Sequence, residues 1–87
     1  MACYRIEWRP SIKKDLKRVS KSEVPRIIKA VEALSDTPRP SGSTKLSGSE
    51  STYRIRIGSY RVIYEIYDDT ILIEVVKVGH RKDVYKK

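Results

Sequence analysis

The chain has 87 residues, enough for one domain covering residues 1–87, and its 19 Lys and Arg outnumber its 11 Asp and Glu to give a formal net charge of +8. This charge points to nucleic acid, another anionic surface or an acidic protein as the partner, while the single cysteine and single histidine exclude an internal disulfide and argue against a metal or cofactor site. No segment is apolar enough to span a membrane and none reads as a secretory signal, so we expect a cytoplasmic protein.

The first half of the chain predicts a short strand followed by two helices. Residues Tyr4–Trp8 alternate between apolar and polar types, which is typical of a strand. Apolar residues then recur at helical spacing over two segments that Ser20–Ser22 separates. Ser22 is expected to cap the second helix, and Pro38 to end it. The segment Pro38–Ser51 is rich in Pro, Gly and Ser and is predicted to be a loop.

The last third predicts a three-strand antiparallel meander with an apolar face that packs on the two helices. Tight turns are expected at Gly58-Ser59 and at Asp68-Asp69. The expected pairs are Ile57 with Tyr60, Ile55 with Val62 and Tyr53 with Tyr64 in the first hairpin, and Ile66 with Ile71, Tyr64 with Ile73 and Val62 with Val75 in the second. The predicted fold class is therefore α+β, with the helices on one face of the sheet.

The opposite face of this sheet is expected to collect positive charge. Arg56 and Arg61 would lie directly opposite each other, which destabilises a sheet unless an anion lies between them. Arginine suits a phosphate because it can donate two parallel hydrogen bonds. The plainer alternative is a solvated face with an ion pair between Glu74 and Arg61. If the last strand runs past Val78, the residues on this face include Arg54, Arg56, Arg61 and His80.

Further positive charge lies at the C-terminus and on the helices. Arg81, Lys82 and Tyr85 follow the last strand, and Tyr85 could be either a stacking platform for a base or a tail residue that docks on the domain. Residues 9–29 carry eight basic side chains against two acids. The basic residues are Arg9, Lys13, Lys14, Lys17, Arg18, Lys21, Arg26 and Lys29. Such a surface suits a large polyanion, although solubility alone would also explain it.

Two segments, "YRIRIGSYRVIYEI" (residues 53–66) and "ILIEVVKVGHRKDVY" (residues 71–85), closely resemble the RelE/ParE superfamily of bacterial toxins, the RelE branch in particular. The likeness covers essentially the whole chain. It implies a type II toxin that enters the A site of a translating 70S ribosome and cuts the mRNA there, inhibiting translation. In this chemistry the ribose 2′-hydroxyl attacks the adjacent phosphate, and no metal is needed.

The same resemblance implies roles for individual residues. The implied catalytic set is Arg56, Arg61, His80, Arg81 and Tyr85, and the implied RNA-binding set is Lys45, Arg54 and Lys82. Arg56 and Arg61 would hold the phosphate, Arg81 would neutralise the leaving oxygen and Tyr85 would stack on the nucleotide. Relatives carry lysines where this chain has Arg54 and Arg56, and arginine is a poor general base. Either electrostatic stabilisation of the transition state is sufficient for cleavage, or His80 accepts the proton of the 2′-hydroxyl.

The resemblance also implies a partner and leaves alternatives open. A cognate RelB-like antitoxin, possibly one that binds DNA, would cover the basic surface or displace the segment that contains Tyr85. An acidic and partly disordered partner would suit the charge of this domain. The alternative functions are inhibition of DNA gyrase, as by ParE, and nucleic-acid binding without catalysis. A gyrase inhibitor has no need for clustered arginines, His80 and Tyr85 around one phosphate.

Overall fold

The structure, a computed structural model, describes residues 3–80. These residues form two helices and a five-stranded sheet. In chain order the elements are β1 (Arg5–Trp8), α1 (Ile12–Lys17), α2 (Val24–Ala33), β2 (Thr44–Lys45), β3 (Thr52–Ile57), β4 (Tyr60–Tyr67) and β5 (Leu72–His80). The strands lie side by side in the order β1-β5-β4-β3-β2. The predicted α+β fold is confirmed.

The N-terminal strand β1 forms one edge of the sheet and runs parallel to β5. Ile6 pairs with Ile73 and packs against the core, whereas Trp8, which pairs with Val75, is exposed. The backbone N–H of Arg9 still bonds the carbonyl of Val75 at 3.1 Å, and the chain then turns into α1. As a result, β1 covers only the first half of β5, and α1 packs beside the remainder.

The predicted capping of the second helix is wrong by one residue. Glu23 occupies the cap position of α2, and its carbonyl accepts the first helical bond from Ile27 N–H at 3.0 Å. Ser22 lies one position outside, and its hydroxyl is 3.2 Å from that of Ser20. The expected end at Pro38 is wrong as well. The helix stops at Ala33 because the next turns tighten to i→i+3 bonds.

The predicted loop Pro38–Ser51 contains the short strand β2, which the sequence analysis missed. Thr44 pairs with Arg54 and Lys45 with Tyr53, which makes β2 the second edge of the sheet. Two residues are too few for an alternating pattern to be recognised. The pairing depends instead on the neighbouring edge of β3, which needs a partner for its backbone.

The first hairpin has the predicted register. Gly58 takes a positive φ of 60°, as a two-residue turn requires, and Ile57 pairs with Tyr60. The expected pairs Ile55 with Val62 and Tyr53 with Tyr64 also form. Arg56 pairs directly with Arg61, as the sequence predicted.

The second hairpin has a different register from the predicted one. Tyr67 pairs with Leu72, so four residues rather than two form the turn, and Ile71 has a φ of 53°. The pairing then shifts in the middle of the strands. The observed pairs include Ile66 with Ile73, Tyr64 with Val75, Ile63 with Lys77, Val62 with Val78, Arg61 with Gly79 and Tyr60 with His80. The three pairs expected for this hairpin are wrong, and Val76 is the residue that the shift inserts.

The shift in β5 decides which residues enter the core. Val78, paired with Val62, is 2% exposed. The predicted pairing of Val62 with Val75 would instead place Val78, three residues further on, on the opposite face. Continued without a shift, the pairing would have set Lys77 beside Val62 in the apolar core. The core of the described residues joins the sheet to Ile12 of α1 and to Ile27 of α2. Neither of the two helices has the length or the apolar character needed to cross a membrane, as far as residues 3–80 are concerned.

Candidate nucleic-acid interface

The face of the sheet that points away from the helices carries Arg54, Arg56 and Arg61, and we call it the arginine face. Arg56 and Arg61 are directly opposed on β3 and β4, and Arg54 is paired with Ile63 one step further along the same strands. Arg56 is exposed, while the other two arginines are half-buried. Two guanidinium groups thus share one row of the sheet, where like charges repel.

The acidic side chains of this face lie at its other end. Glu65 accepts hydrogen bonds from the hydroxyls of Ser51, at 2.7 Å, and Thr52. Glu74 pairs with Glu65 across the sheet and forms its ion pair with Arg9, at 3.3 Å. The alternative of an ion pair between Glu74 and Arg61 is therefore wrong, because the register places Gly79 beside Arg61 instead.

The strand β2 supports the arginine face from its edge. The hydroxyl of Thr44 accepts a hydrogen bond from a terminal nitrogen of Arg54 at 3.3 Å. Lys45, predicted to bind RNA, is exposed. It pairs with Tyr53, which in turn pairs with the buried Tyr64, so these three residues lie on the same face of the sheet. Lys45 therefore points to the helix side at the sheet edge, and Thr44 takes the position beside the arginines.

His80 does not lie on the arginine face, which corrects the sequence expectation. It pairs with Tyr60, and the two rings meet edge-on with 5.8 Å between their centroids. Tyr60 itself packs against the core, and its hydroxyl accepts the Ser20 N–H at 3.2 Å. A small pocket of about 100 Å³ lies between His80 and Asp15 of α1. His80 lies on the helix side because the register shift in β5 reverses the side to which each later residue points.

The predicted site residues Arg81, Lys82 and Tyr85 lie outside the residues that the structure describes. The described chain ends at His80, directly after Gly79 on the arginine face. Within residues 3–80, no three His, Cys, Asp or Glu side chains lie together as a metal site would require.

A polar cluster that the sequence analysis missed joins the loop after α2 to the β4–β5 turn. Arg39 donates to Tyr53 Oη at 3.1 Å and to Asp68 at 2.8 Å, and Tyr4 Oη donates to the same carboxylate at 2.7 Å. The bond from Tyr4, followed by that from Arg39, lowers the pKa of Asp68. The residues of the cluster are 14 to 64 positions apart in the chain, so no local sequence signal predicted it. The cluster fixes the loop that carries β2, and hence the edge of the arginine face.

Tyr64 anchors the same loop from the core. Its ring is fully buried and stacks on Tyr53 at 6.1 Å, and its hydroxyl donates to the carbonyl of Pro38 at 2.8 Å. Burial raises the pKa of Tyr64 to about 12. The hydroxyl therefore stays a donor at any physiological pH.

A family model described as the ParE toxin of the type II toxin–antitoxin system parDE matches residues 6–85. The chain belongs to this toxin family. Its predicted place in the RelE/ParE superfamily is thereby confirmed, and relatives named RelE support it.

Several toxins of the RelE type are similar to this member of the family. RelE1 of Methanocaldococcus jannaschii is 31% identical over 86 residues, which are 95% of this chain and 96% of the relative. The toxin RelG of Mycobacterium tuberculosis is 28% identical over 97% of this chain and 98% of its own. A solved RelE–RelB complex from Pyrococcus horikoshii contains a chain that matches with a TM-score of 0.81 and 28% identity, covering 94% of this chain and 99% of that one.

The toxin carries a second basic surface on the helix side. Five exposed cations follow one another on and after α1, and none of them forms an ion pair with a carboxylate of the described residues. They are Lys13, Lys14, Lys17, Arg18 and Lys21. An apolar groove of about 410 Å³ lies further along this side, between Leu34 after α2 and Ile57 of β3. Basic side chains thus lie on both sides of the sheet.

Proposed function

We propose that this toxin is a ribosome-dependent mRNA endonuclease and that the arginine face binds the scissile phosphate. The observation that supports this most directly is the pair formed by Arg56 and Arg61. Two guanidinium groups in one row repel each other in the free protein, and a phosphodiester between them relieves that repulsion. Membership of the toxin family and the RelE-type relatives support the same assignment.

The proposed reaction needs positive charge more than any other group. The ribose 2′-oxygen forms a bond to the adjacent phosphorus while the bond to the 5′-oxygen of the next nucleotide breaks. The products are a 2′,3′-cyclic phosphate and a 5′-hydroxyl, and the proton lost by the 2′-hydroxyl balances the one gained by the leaving oxygen. The phosphate gains negative charge on the way, so fixed cations stabilise the transition state.

Each predicted residue except His80 has a place in this proposal. Arg56 and Arg61 would bind the scissile phosphate, and Arg54 would bind the adjoining RNA backbone. Arg81 would neutralise the leaving oxygen, and Tyr85 would stack on a base. Lys45 and Lys82 would add contacts to the RNA backbone outside the reacting phosphate. His80 faces Tyr60 on the helix side, which favours electrostatic stabilisation over proton transfer to His80.

We also propose that a RelB-like antitoxin holds this toxin. The chain from Pyrococcus horikoshii and a RelE chain from Mycobacterium tuberculosis were both solved in complexes with antitoxins. The basic surface of α1 suits an acidic segment of such a partner, which would cover it or displace the segment that contains Tyr85.

The deciding experiment is in vitro translation of a defined message with the purified toxin, followed by primer extension to map the mRNA ends. We expect cuts at the A-site codon that require ribosomes and that an Arg61→Ala variant reduces by about 10²–10³-fold. Arg5→Ala is the matched control, because Arg5 is exposed and forms an ion pair with Glu7 within the edge strand β1. Intact message would contradict the proposal. Since the matching family model is that of ParE, a DNA gyrase supercoiling assay would then test the alternative function.

A further inference from the structure

A glycine lies beside the two opposed arginines. Arg56 pairs with Arg61, and Arg61 pairs with Gly79 on β5, so the three residues form one row across the arginine face. Any side chain at position 79 would project onto this face next to Arg61. The row therefore consists of two guanidinium groups and one position without a side chain.

The backbone does not explain the glycine. Among the described residues, only Gly48 and Gly58 combine glycine with a positive φ, so Gly79 has a conformation that other residues adopt readily. It lies inside the strand Leu72–His80, where glycine weakens pairing and packs nothing. A glycine inside a strand often marks a bulge or a site that a ligand or another backbone approaches closely, and the bulge of β5 lies at Val76 rather than at Gly79.

The register shift is what brings Gly79 to this position. Tyr64 pairs with Val75 and Ile63 with Lys77, so β5 advances by one residue between these pairs. Without the shift, Val78 would stand beside Arg61, and its branched side chain would occupy the row. The shift thus removes a bulky residue from the arginine face and at the same time buries it in the core.

Asp15 of α1 holds the shifted segment. Its carboxylate accepts the backbone N–H of Val78 at 3.0 Å and lies 3.9 Å from Nζ of Lys77. The Asp15 side chain is only 12% exposed, so this contact is shielded from competing water. It forms where β1 no longer covers the edge of β5. The carboxylate of Asp15 on α1 therefore accepts a backbone hydrogen bond from β5 directly after the register shift.

We infer that Gly79 keeps open a space beside Arg61 that admits the RNA backbone, and that Asp15 is a positioning residue that maintains this space. The ligand is the phosphodiester of single-stranded RNA, lying along the row of Arg56, Arg61 and Gly79. The inference rests on the proposed function for the identity of the ligand. It extends that function because it makes Gly79, a residue without a side chain, part of the RNA-binding site.

The first test measures binding of a short fluorescently labelled single-stranded RNA to the intact toxin at low salt. We expect Gly79→Val to weaken binding by about tenfold and Gly79→Ala by less, because the branched side chain displaces the RNA from Arg61. Gly42→Ala is the matched control, since a Cβ at Gly42 meets no atom within 4 Å, and it should bind like the wild type. Wild-type affinity in a folded Gly79→Val variant would overturn the inference.

The second test addresses Asp15. Asp15→Ala should weaken RNA binding, while Asp15→Asn should retain most of it because the amide oxygen can still accept the Val78 N–H. In the Gly79→Val background Asp15→Ala should cause no further loss, since both changes act on the same space. A purely structural role would lower stability equally in both backgrounds and leave the affinity of the folded protein unchanged. Asp69→Asn, at the exposed β4–β5 turn, serves as the control.

The outcome separates this inference from the proposed function. If the wild type cuts mRNA on the ribosome and Gly79→Val cuts equally well, the inference is wrong and the nuclease proposal stands. If the wild type leaves mRNA intact but Gly79→Val weakens RNA binding as expected, the nuclease proposal is wrong and the assigned space stands.

Discussion

The imidazole of His80 meets the ring of Tyr60 edge-on, with 5.8 Å between the ring centroids, on the side of the sheet that carries the helices. Arg61 follows Tyr60 in β4 and points to the opposite face. The sheet itself therefore separates the only histidine from the two opposed arginines. A role for His80 in proton transfer would require the end of β5 to change its register.

This separation predicts that His80→Ala keeps mRNA cleavage within about threefold of the wild type, whereas loss of a general base would reduce it by about 10²-fold or more. Loss of the edge-on contact should lower the free energy of unfolding by about 0.5–1 kcal/mol. Primer extension and urea unfolding measure the two effects. A large loss of cleavage in a fully folded variant would show that His80 takes part in catalysis.

The opposed pair predicts that Arg56→Ala stabilises the free toxin while impairing its activity. Removing one of two like charges in a row should raise the free energy of unfolding by about 0.2–1 kcal/mol at low salt. The gain should shrink as salt is added, because the repulsion is screened. Urea unfolding at two salt concentrations tests this, with Arg5→Ala as the control at an arginine that has an acidic partner. A destabilised Arg56→Ala variant would show that the row is not under repulsion.

The cluster around Asp68 predicts a dependence of stability on acid. Hydrogen bonds from Tyr4 and Arg39 lower the pKa of Asp68 in the folded protein. Its contribution to stability is therefore present above the unfolded pKa of about 4 and is lost as the pH falls through the lower folded pKa. The stability advantage of the wild type over Asp68→Asn should be full at pH 7 and shrink below about pH 4. Urea unfolding over this range measures it, and an advantage that is constant with pH would contradict the prediction.

The hydroxyl of Tyr64 predicts a link between the core and the sheet edge. Tyr64→Phe leaves the carbonyl of Pro38 without this donor and should lower the free energy of unfolding by about 1–2 kcal/mol. Amide exchange should also quicken at Thr44, since the anchored loop carries β2. Tyr67→Phe, at an exposed ring, is the control. Equal stability and unchanged exchange in Tyr64→Phe would show that other contacts hold the loop.

The sequence predicted the first hairpin well because its determinants are local. A glycine in a two-residue turn and alternating apolar residues fix the pairing of Arg56 with Arg61. The second hairpin was mispredicted because its determinants are distant. The shift near Val76 is stabilised by Asp15, far away in the chain, and by burial of Val78 instead of Lys77. No local pattern reports such a contact, so the arginines were assigned correctly to one face while His80 was not.

The position of β5 in the sheet also has a consequence for how this toxin is made. It is the last described strand in the chain, yet it lies between β1 and β4 and pairs with both. Contacts between such distant segments form slowly, and a chain that leaves the ribosome N-terminus first cannot make them until β5 emerges. The nascent toxin therefore has neither a complete sheet nor a finished arginine row until β5 has emerged. A nuclease of the proposed kind would therefore be unable to act through the arginine face until β5 has left the ribosome that makes it.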